Sequence, residues 1–192
     1  MPVMWHSGGL IVTDKPIVRV QQVDQTHEWF QEALAQLLQQ TPYQQITVSA
    51  LANRAGLSRR TFYRHYVSID QLLEELLGAE VAQLFKAIQK AHPKHFQEVV
   101  YAYFDYWQAR LSFLQSLAVN RLLPRLLTVL TQATNDSLLA RMFPQTEPYI
   151  YAFAAGGIWN LMVAWLQAGA VDAPAVMAQK ARLVAKHLVA IM

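Results

Sequence analysis

The residues best suited to chemistry lie together in one stretch, residues 47–66, with the sequence TVSALANRAGLSRRTFYRHY. The charged side chains of this stretch can only be cationic, because it contains no aspartate or glutamate; they are Arg54, Arg59, Arg60, Arg64 and His65. An arginine can form a bidentate contact with guanine, and hydroxyl groups and histidine position phosphates. The stretch therefore predicts a surface that binds nucleic acid.

Two short helices around a glycine turn are predicted to position these side chains. Apolar residues recur at helical spacing up to Ala55, and Gly56 follows where a helix C-terminus favours φ > 0. Ser58 is a suitable N-cap for a second helix, in which Phe62 and Tyr66 lie four residues apart and face the core. The outward set is Arg59, Arg60, Thr61, Tyr63, Arg64 and His65. This pattern is a helix-turn-helix, whose second helix enters the DNA major groove.

The alternative is an arginine-rich helix that is only a solvated surface. Helix-turn-helix geometry also occurs in proteins that bind no nucleic acid. A merely solvated face would more typically hold Glu, Lys and Gln than arginine, threonine and tyrosine together without any acid. The residue mixture therefore favours DNA binding.

Composition limits the other function classes. The 192 residues are 54% hydrophobic and 15% charged and include no cysteine, which excludes a disulfide scaffold and a thiolate metal site and suits a cytoplasmic protein. A net charge of +3 is too mild to indicate nucleic-acid binding alone. We find no phosphate loop, nucleophile elbow or zinc-binding helix, and we predict no enzyme activity and no cofactor. His92 and His95 lack a third ligand nearby, so no metal site is predicted.

The periodicity predicts an all-α fold with no strand. The expected helices are residues 26–40, the two of the helix-turn-helix, 69–91, 96–117, one or two within 120–139, 148–168, and 174 or 175 to 191. We expect a flexible N-terminal arm at 1–23, a DNA-binding domain at 24–77, a ligand-binding and dimerisation domain at 78–192, and a linker at 142–148.

Residues 148–168 are the most apolar segment, with no charge between Glu147 and Asp172. A membrane span is one interpretation, but Asn160, Gln167 and the absence of flanking Lys/Arg clusters oppose it. A helix that is apolar all round can equally be buried in an oligomer interface. With the last helix it would form a hairpin that pairs across a two-fold axis. The predicted dimer interface comprises Ala152, Ala155, Gly156, Trp159, Val163, Leu183 and His187.

The run ITVSALANRAGLSRRTFYRHY at residues 46–66 resembles the DNA-binding head of TetR/AcrR-type transcriptional regulators, and the resemblance covers roughly residues 25–77. Residues 154–161, AAGGIWNL, resemble the penultimate helix of one Firmicute-type branch. The resemblance implies a homodimeric transcriptional repressor that binds double-stranded DNA. Its C-terminal domain would respond to a small effector. It assigns Arg59, Arg60 and Thr61 to the groove, and Thr47, Tyr63 and His65 to phosphates. The full predicted DNA-binding set is Thr47, Ser58, Arg59, Arg60, Thr61, Tyr63, Arg64 and His65.

Two further expectations follow from the resemblance. An effector pocket would be walled by aromatic residues between the linker helix and the hairpin, and its candidate residues are Phe85, Tyr103, Phe104, Trp107, Arg110, Phe113 and Trp159. Where the family commonly has a phosphate-docking lysine, this chain has Ile69 and Asp70. That departure leaves open an alternative, a regulatory adaptor that binds DNA weakly and acts by dimerising with a paralogous regulator.

Overall fold

The structure is a computed structural model that describes residues 15–135 and 148–191, with side chains placed for 25–133, 149–150 and 152–187. Within these residues the fold is all-α, as predicted, and no strand is present. The helices are α1 Lys15–Leu38, α2 Val48–Ala55, α3 Arg59–His65, α4 Ile69–Lys90, α5 Phe96–Gln108, α6 Leu111–Val119, α7 Leu123–Asn135, α8 Pro148–Gln167 and α9 Pro174–Ile191, with a 3-10 turn at Tyr43–Gln45.

The first three helices form a small head around aromatic and leucine side chains. Phe30 and Leu34 of α1 are fully buried, as are Leu51 of α2 and Phe62 of α3. The connector after α1 is fixed to this core by Ile46, which is buried, and by Tyr43, which packs against it. The head is therefore held together by the amphipathic faces that the sequence predicted.

Helix α4 joins the head to the rest of the chain. Ser68 caps its N-terminus by accepting a hydrogen bond from the backbone N–H of Gln71 at 3.2 Å, and its bounds confirm the prediction. It packs against α1 of the head and against α5 and α7 of the C-terminal part. The buried stripe along it comprises Leu72, Leu73, Leu76, Leu77, Val81, Leu84 and Ile88.

Helix α5 is the centre of the C-terminal part, where α9 packs along it and α4 and α6 lie beside it. The Phe104 ring meets the Trp165 ring of α8 edge to face at 5.5 Å. The Tyr103 hydroxyl lies 3.1 Å from the Met162 sulfur of the same helix. Since α9 packs mainly on α5, the last two helices share less surface than a simple hairpin would give them.

Two predicted boundaries were wrong. Helix α1 begins at Lys15 rather than near residue 26, so residues 15–23 are helical and only residues 1–14 of the predicted arm lie outside the described residues. Pro16 is compatible with this start, because a first-turn N–H has no partner within the helix. The predicted helix 96–117 is divided at Ala109 and Arg110 into α5 and α6, and no proline or glycine marks the break.

The helices predicted within 120–139 and from residue 148 both contain a proline in their first turn. Pro124 is the second residue of α7, and Pro148 is the first of α8. The linker predicted at 142–148 lies outside the described residues up to 147. Among the described helices, none has the length and apolar character needed to cross a membrane, and this result includes α8.

Candidate nucleic-acid interface

The turn between α2 and α3 is fixed by glycine geometry. Thr47 caps the start of α2, where its Oγ1 accepts a hydrogen bond from the Ala50 N–H at 3.1 Å. At the other end Gly56 has φ of +67°, a left-handed conformation that side chains disfavour. The Leu57 N–H then donates to the Ala52 carbonyl at 2.9 Å and closes the helix end. The chain therefore turns sharply into α3.

Ser58 begins α3 by accepting a hydrogen bond from the Thr61 backbone N–H at 3.0 Å. Its Oγ also lies 2.9 Å from Oγ1 of Thr61. One of the two hydroxyl hydrogens lies between these oxygens, which leaves one hydroxyl hydrogen that the pair can offer to a phosphate. These two predicted DNA contacts are therefore coupled through one hydrogen bond.

One face of α3 is locked to the head by aromatic packing. Phe62 and Tyr66 are buried, and the Phe30 ring of α1 lies edge to face with both, at 5.4 and 5.9 Å between ring centroids. Such pairs add about 0.5–1.5 kcal/mol each beyond the buried area. The orientation of α3 is therefore set by residues that have no contact with solvent.

The opposite face of α3 is exposed and cationic. Arg59, Arg60 and Arg64 are exposed, and Tyr63 is 56% exposed although it is aromatic. Arg54 of α2 is directed elsewhere, because its guanidinium donates to Gln36 Oε1 on α1 at 3.3 Å and to Gln40 Oε1, just after α1, at 3.2 Å. The face available to a ligand is therefore that of α3 itself.

His65, a predicted phosphate contact, is partly buried and bonded to residues the sequence did not single out. Its Nδ1 lies 3.2 Å from Nε2 of His27 on α1, and Nδ1 of His27 lies 2.7 Å from Oε1 of Glu75 on α4. The Tyr66 hydroxyl donates to the same Glu75 oxygen at 3.0 Å, and so does the Gln31 amide at 2.7 Å. Burial lowers the pKa of His65, and His27 and Arg64 lower it further.

No sequence pattern predicted the cluster of His27, His65, Tyr66 and Glu75. His27 and Glu75, for example, are separated by 48 positions in the chain. One physical signal was present: a buried tyrosine usually finds a partner for its hydroxyl. Tyr66 was predicted to be buried, so a polar partner for it on α1 or α4 was to be expected. The pKa of Tyr66 is raised well above its ordinary value by burial and by the charge of Glu75.

Residues 32–76 match the sequence profile of the family described as bacterial regulatory proteins, tetR family. These residues run from α1 through the turn at Gly56 to the first turns of α4, so they contain the whole cationic face just described. The chain therefore contains the N-terminal region of the tetR family. Its solved relatives place the remainder in the same fold.

A tetR-family transcription regulator from Marinobacter aquaeolei VT8 is 18% identical, with a TM-score of 0.55 over 84% of this chain and 96% of that chain. A protein from Shewanella sp. PV-4 assigned to the same family is 16% identical, with a TM-score of 0.65 over 83% and 95%. At these identities the likeness concerns the fold alone. The nucleoid occlusion factor SlmA of Marinomonas sp. (strain MWYL1) is 37% identical over 59 residues, so this chain spans only 30% of that relative.

The departure from the TetR pattern at Ile69 and Asp70 has a structural explanation. The Asp70 carboxylate accepts a hydrogen bond from the Tyr43 hydroxyl at 2.9 Å and lies 2.5 Å from Nη1 of Arg125 on α7. These two contacts, the tyrosine hydrogen bond first, lower the pKa of Asp70. The acid is therefore neutralised by a cation from the C-terminal part, instead of standing unpaired beside α3.

The residues predicted to line an effector pocket occupy different environments. Four of the aromatic residues are buried in the core, namely Tyr103, Phe104, Trp107 and Phe113. Phe85 and Trp159 are partly buried against that core. Arg110 lies over the Tyr106 ring at 3.9 Å and pairs with Glu80 at 3.3 Å.

Arg110 also lines an open groove of about 460 Å³ between α4 and α5. The other polar residues of this groove are Gln83, Lys86, Tyr101, Asp105 and Tyr106. The core aromatics named above do not line it. Of the predicted pocket residues, the groove therefore includes Arg110 alone.

The predicted dimer residues lie on α8 and α9. Ala152, Ala155, Gly156, Trp159 and Val163 follow one another at helical spacing on α8, and all are exposed or partly exposed. On α9, Leu183 is 44% exposed, and the exposed His187 bonds through Nδ1 to the Leu183 carbonyl at 2.8 Å. The same two helices also expose Tyr149, Ile150, Phe153 and Val184.

Proposed function

We propose that this TetR-family protein is a transcriptional repressor that binds double-stranded DNA through α3. The observation behind the proposal is the division of α3 into two faces. Phe62 and Tyr66 fix one face to the head, while Arg59, Arg60 and Tyr63 project from the other. A rigid helix with exposed arginines and no acid in its own sequence suits the major groove, where arginine reads guanine.

The proposed division of labour follows the chain. Residues up to 77 form the DNA-binding domain, and residues from 78 onward form the dimerisation and effector domain. Two heads in a two-fold dimer would read the half-sites of a pseudo-palindromic operator. The spacing between the half-sites would equal the distance between the two α3 helices.

Dimerisation through α8 and α9 is supported by the apolar side chains these helices expose. Tyr149 is 85% exposed and Phe153 is 69% exposed, which is unfavourable for a helix surrounded by water. A Cβ added at Gly156 or Gly157 would meet no atom within 4 Å. Packing within one copy therefore does not require glycine there, whereas close approach of a second helix would.

Regulation by a small effector is the third part of the proposal. The groove between α4 and α5 has a volume within the range of ligand sites, about 300–1,000 Å³. It is lined by Gln83 and Lys86 of α4, the helix whose N-terminus follows α3. A ligand held between α4 and α5 would act on the helix that sets the position of the head.

The adaptor alternative has less support. It was suggested by the acid at position 70, which would repel a phosphate if it were unpaired. Since Arg125 and Tyr43 both contact Asp70, that repulsion is reduced.

The proposal can be tested by selecting fragments from a random double-stranded DNA pool with the purified protein. We expect enrichment of one pseudo-palindromic sequence. Its affinity should fall steeply between about 50 and 200 mM salt, because bound phosphates release counterions. A protein that is dimeric but enriches no sequence, and binds no DNA at low salt, would overturn the proposal and favour the adaptor.

A further inference from the structure

His27 of α1 and His65 at the end of α3 form a hydrogen-bonded pair, and their contacts determine which ring nitrogens carry hydrogen. Nδ1 of His27 lies 2.7 Å from Oε1 of Glu75. Two lone pairs at that distance would repel each other, so Nδ1 of His27 carries the proton and donates it to the carboxylate. The Tyr66 hydroxyl, 2.9 Å from the same nitrogen, donates to Glu75 and does not compete for that role.

The hydrogen on Nδ1 of His27 determines where the other hydrogens of the pair lie. If His27 is neutral, its Nε2 is an acceptor and must receive the Nδ1–H of His65 across 3.2 Å. Neutral His65 then has a lone pair on Nε2, which accepts from the Nε–H of Arg64 at 3.4 Å. In the neutral pair, therefore, the nitrogen of His65 that faces Arg64 cannot donate to a phosphate.

Adding one proton to the pair reverses this property wherever the proton resides. If His65 is the cation, its Nε2 gains a hydrogen directly. If His27 is the cation, its Nε2–H donates to Nδ1 of His65, and neutral His65 must then carry its hydrogen on Nε2. Either location places the added proton within the same hydrogen-bonded pair of rings. In both cases Nε2 becomes a donor, and Arg64 loses its acceptor and is released.

We propose that DNA binding by this protein takes up one proton per head at the His27–His65 pair, and that the proton makes Nε2 of His65 a phosphate donor. The inference rests on the proposed function, because it requires that DNA phosphate approaches the end of α3. It adds His27 and Glu75 as positioning residues that fix the hydrogen on His65.

The charged groups around the pair determine the direction of the effect. They are Glu75 from α4 and Arg64 from α3, with Tyr66 beside them. Burial, His27 and Arg64 lower the pKa of His65 in the free protein, while Glu75 opposes them. A bound phosphate would raise it, so the complex holds a proton that the free protein has lost. Affinity is then highest below the free-state pKa and falls as pH rises towards the bound-state pKa.

The test is a titration of the selected operator by fluorescence anisotropy, at constant salt and at pH values from about 5.5 to 8.5, around the ordinary histidine pKa. For each head, wild-type affinity should fall by up to about tenfold per pH unit. His65→Gln should bind with an affinity independent of pH, since its amide donates without titrating. His27→Phe should have a shallower profile than wild type, because His65 is then free to present Nε2–H while neutral.

His95→Gln is the matched control, because His95 lies at the start of α5, outside the head, and should leave the wild-type profile unchanged. A flat wild-type profile, or a slope retained by His65→Gln, would overturn the inference while leaving DNA binding intact. Absence of binding at every pH would remove the proposed function and this inference with it. Ring nitrogen shifts of the free protein at about pH 8, above the ordinary histidine pKa, give a check without DNA. Hydrogen on Nδ1 of both histidines supports the order above, and hydrogen on Nε2 of His65 contradicts it.

Discussion

Asp70 at the start of α4 and Arg125 on α7 form an ion pair of 2.5 Å, which links the helix that follows the head to the C-terminal part. The same carboxylate accepts the Tyr43 hydroxyl, so three separate segments meet at one side chain. The side chain of Asn120, at the end of α6, also bonds to the backbone of Tyr43 in the connector and of Leu38 at the end of α1. The position where the sequence departs from its family is therefore a contact between the two parts of the molecule.

Replacing Asp70 by Asn should lower the free energy of unfolding by about 1 kcal/mol or less, because the two side chains are 56% and 42% exposed and the pair is screened. The folded-state pKa of Asp70 lies below its ordinary value of about 3.9. Its contribution is therefore present above that pH and is lost as the pH falls through the folded-state pKa. Urea unfolding at a series of acidic pH values should show a weaker acid destabilisation in Asp70→Asn than in wild type. Asp105→Asn, on the exposed side of α5, is the control, and an identical pH dependence in Asp70→Asn would contradict the pair.

Asn120 makes three hydrogen bonds, of which two join the end of α6 to the end of α1 and its connector and one lies within α6. Its Oδ1 accepts the Tyr43 N–H at 2.6 Å, and its Nδ2 donates to the carbonyls of Leu38 and Ser116 at 3.2 and 2.8 Å. Asn120→Ala leaves these three backbone groups without their hydrogen-bond partner. The free energy of unfolding measured in urea should therefore fall by about 1–3 kcal/mol. Asn120→Asp, which keeps the acceptor for Tyr43, should lose less. Equal losses in the two variants would argue that the Tyr43 bond contributes nothing.

Much of this architecture could be predicted from the sequence, because it depends on local patterns. The cap of α3 at Ser58 and the left-handed Gly56 occur where residue type alone indicated them. The break between α5 and α6 could not be predicted in this way, since Ala109 and Arg110 are compatible with a continuous helix.

The site was predictable to the same extent and no further. The exposed arginines of α3 follow from helical periodicity. The bonds of His65 to His27 and of Asp70 to Arg125 join residues far apart in the chain, and a single sequence contains no signal for such pairs. The start of α1 differs from the prediction for another reason, because Pro16 is unfavourable inside a helix but compatible with its first turn.

Gly56 should be required for its backbone conformation alone. Its φ is +67°, and an added Cβ would meet no atom within 4 Å, so Gly56→Ala is opposed by backbone strain of about 1–2 kcal/mol and not by a clash. Gly78→Ala on α4 is the matched control, because its Cβ space is also open but its conformation is helical. That variant should gain up to about 1 kcal/mol. Urea unfolding would contradict this account if both variants changed stability in the same direction.

Gly157→Leu should abolish the dimer and preserve the fold. The Cβ at this position is unobstructed within one copy, whereas a large side chain would separate two copies of α8. Light scattering after gel filtration should give a dimeric mass for wild type and a monomeric mass for the variant, with equal helicity by circular dichroism. Gly78→Leu, outside α8, should remain dimeric. A monomeric wild type, or a dimeric Gly157→Leu, would contradict the proposed interface.

The most direct measurement is the affinity of Arg60→Ala for the selected operator, compared with wild type and with Arg182→Ala. Both arginines are exposed, but Arg60 lies on α3 and Arg182 on α9. If Arg60 reads a guanine, Arg60→Ala should lose about 1–3 kcal/mol of binding and relax the preference at one base pair. Arg182→Ala should bind as wild type does. Equal affinities of all three proteins for the operator would contradict the claim that α3 is the DNA-reading helix.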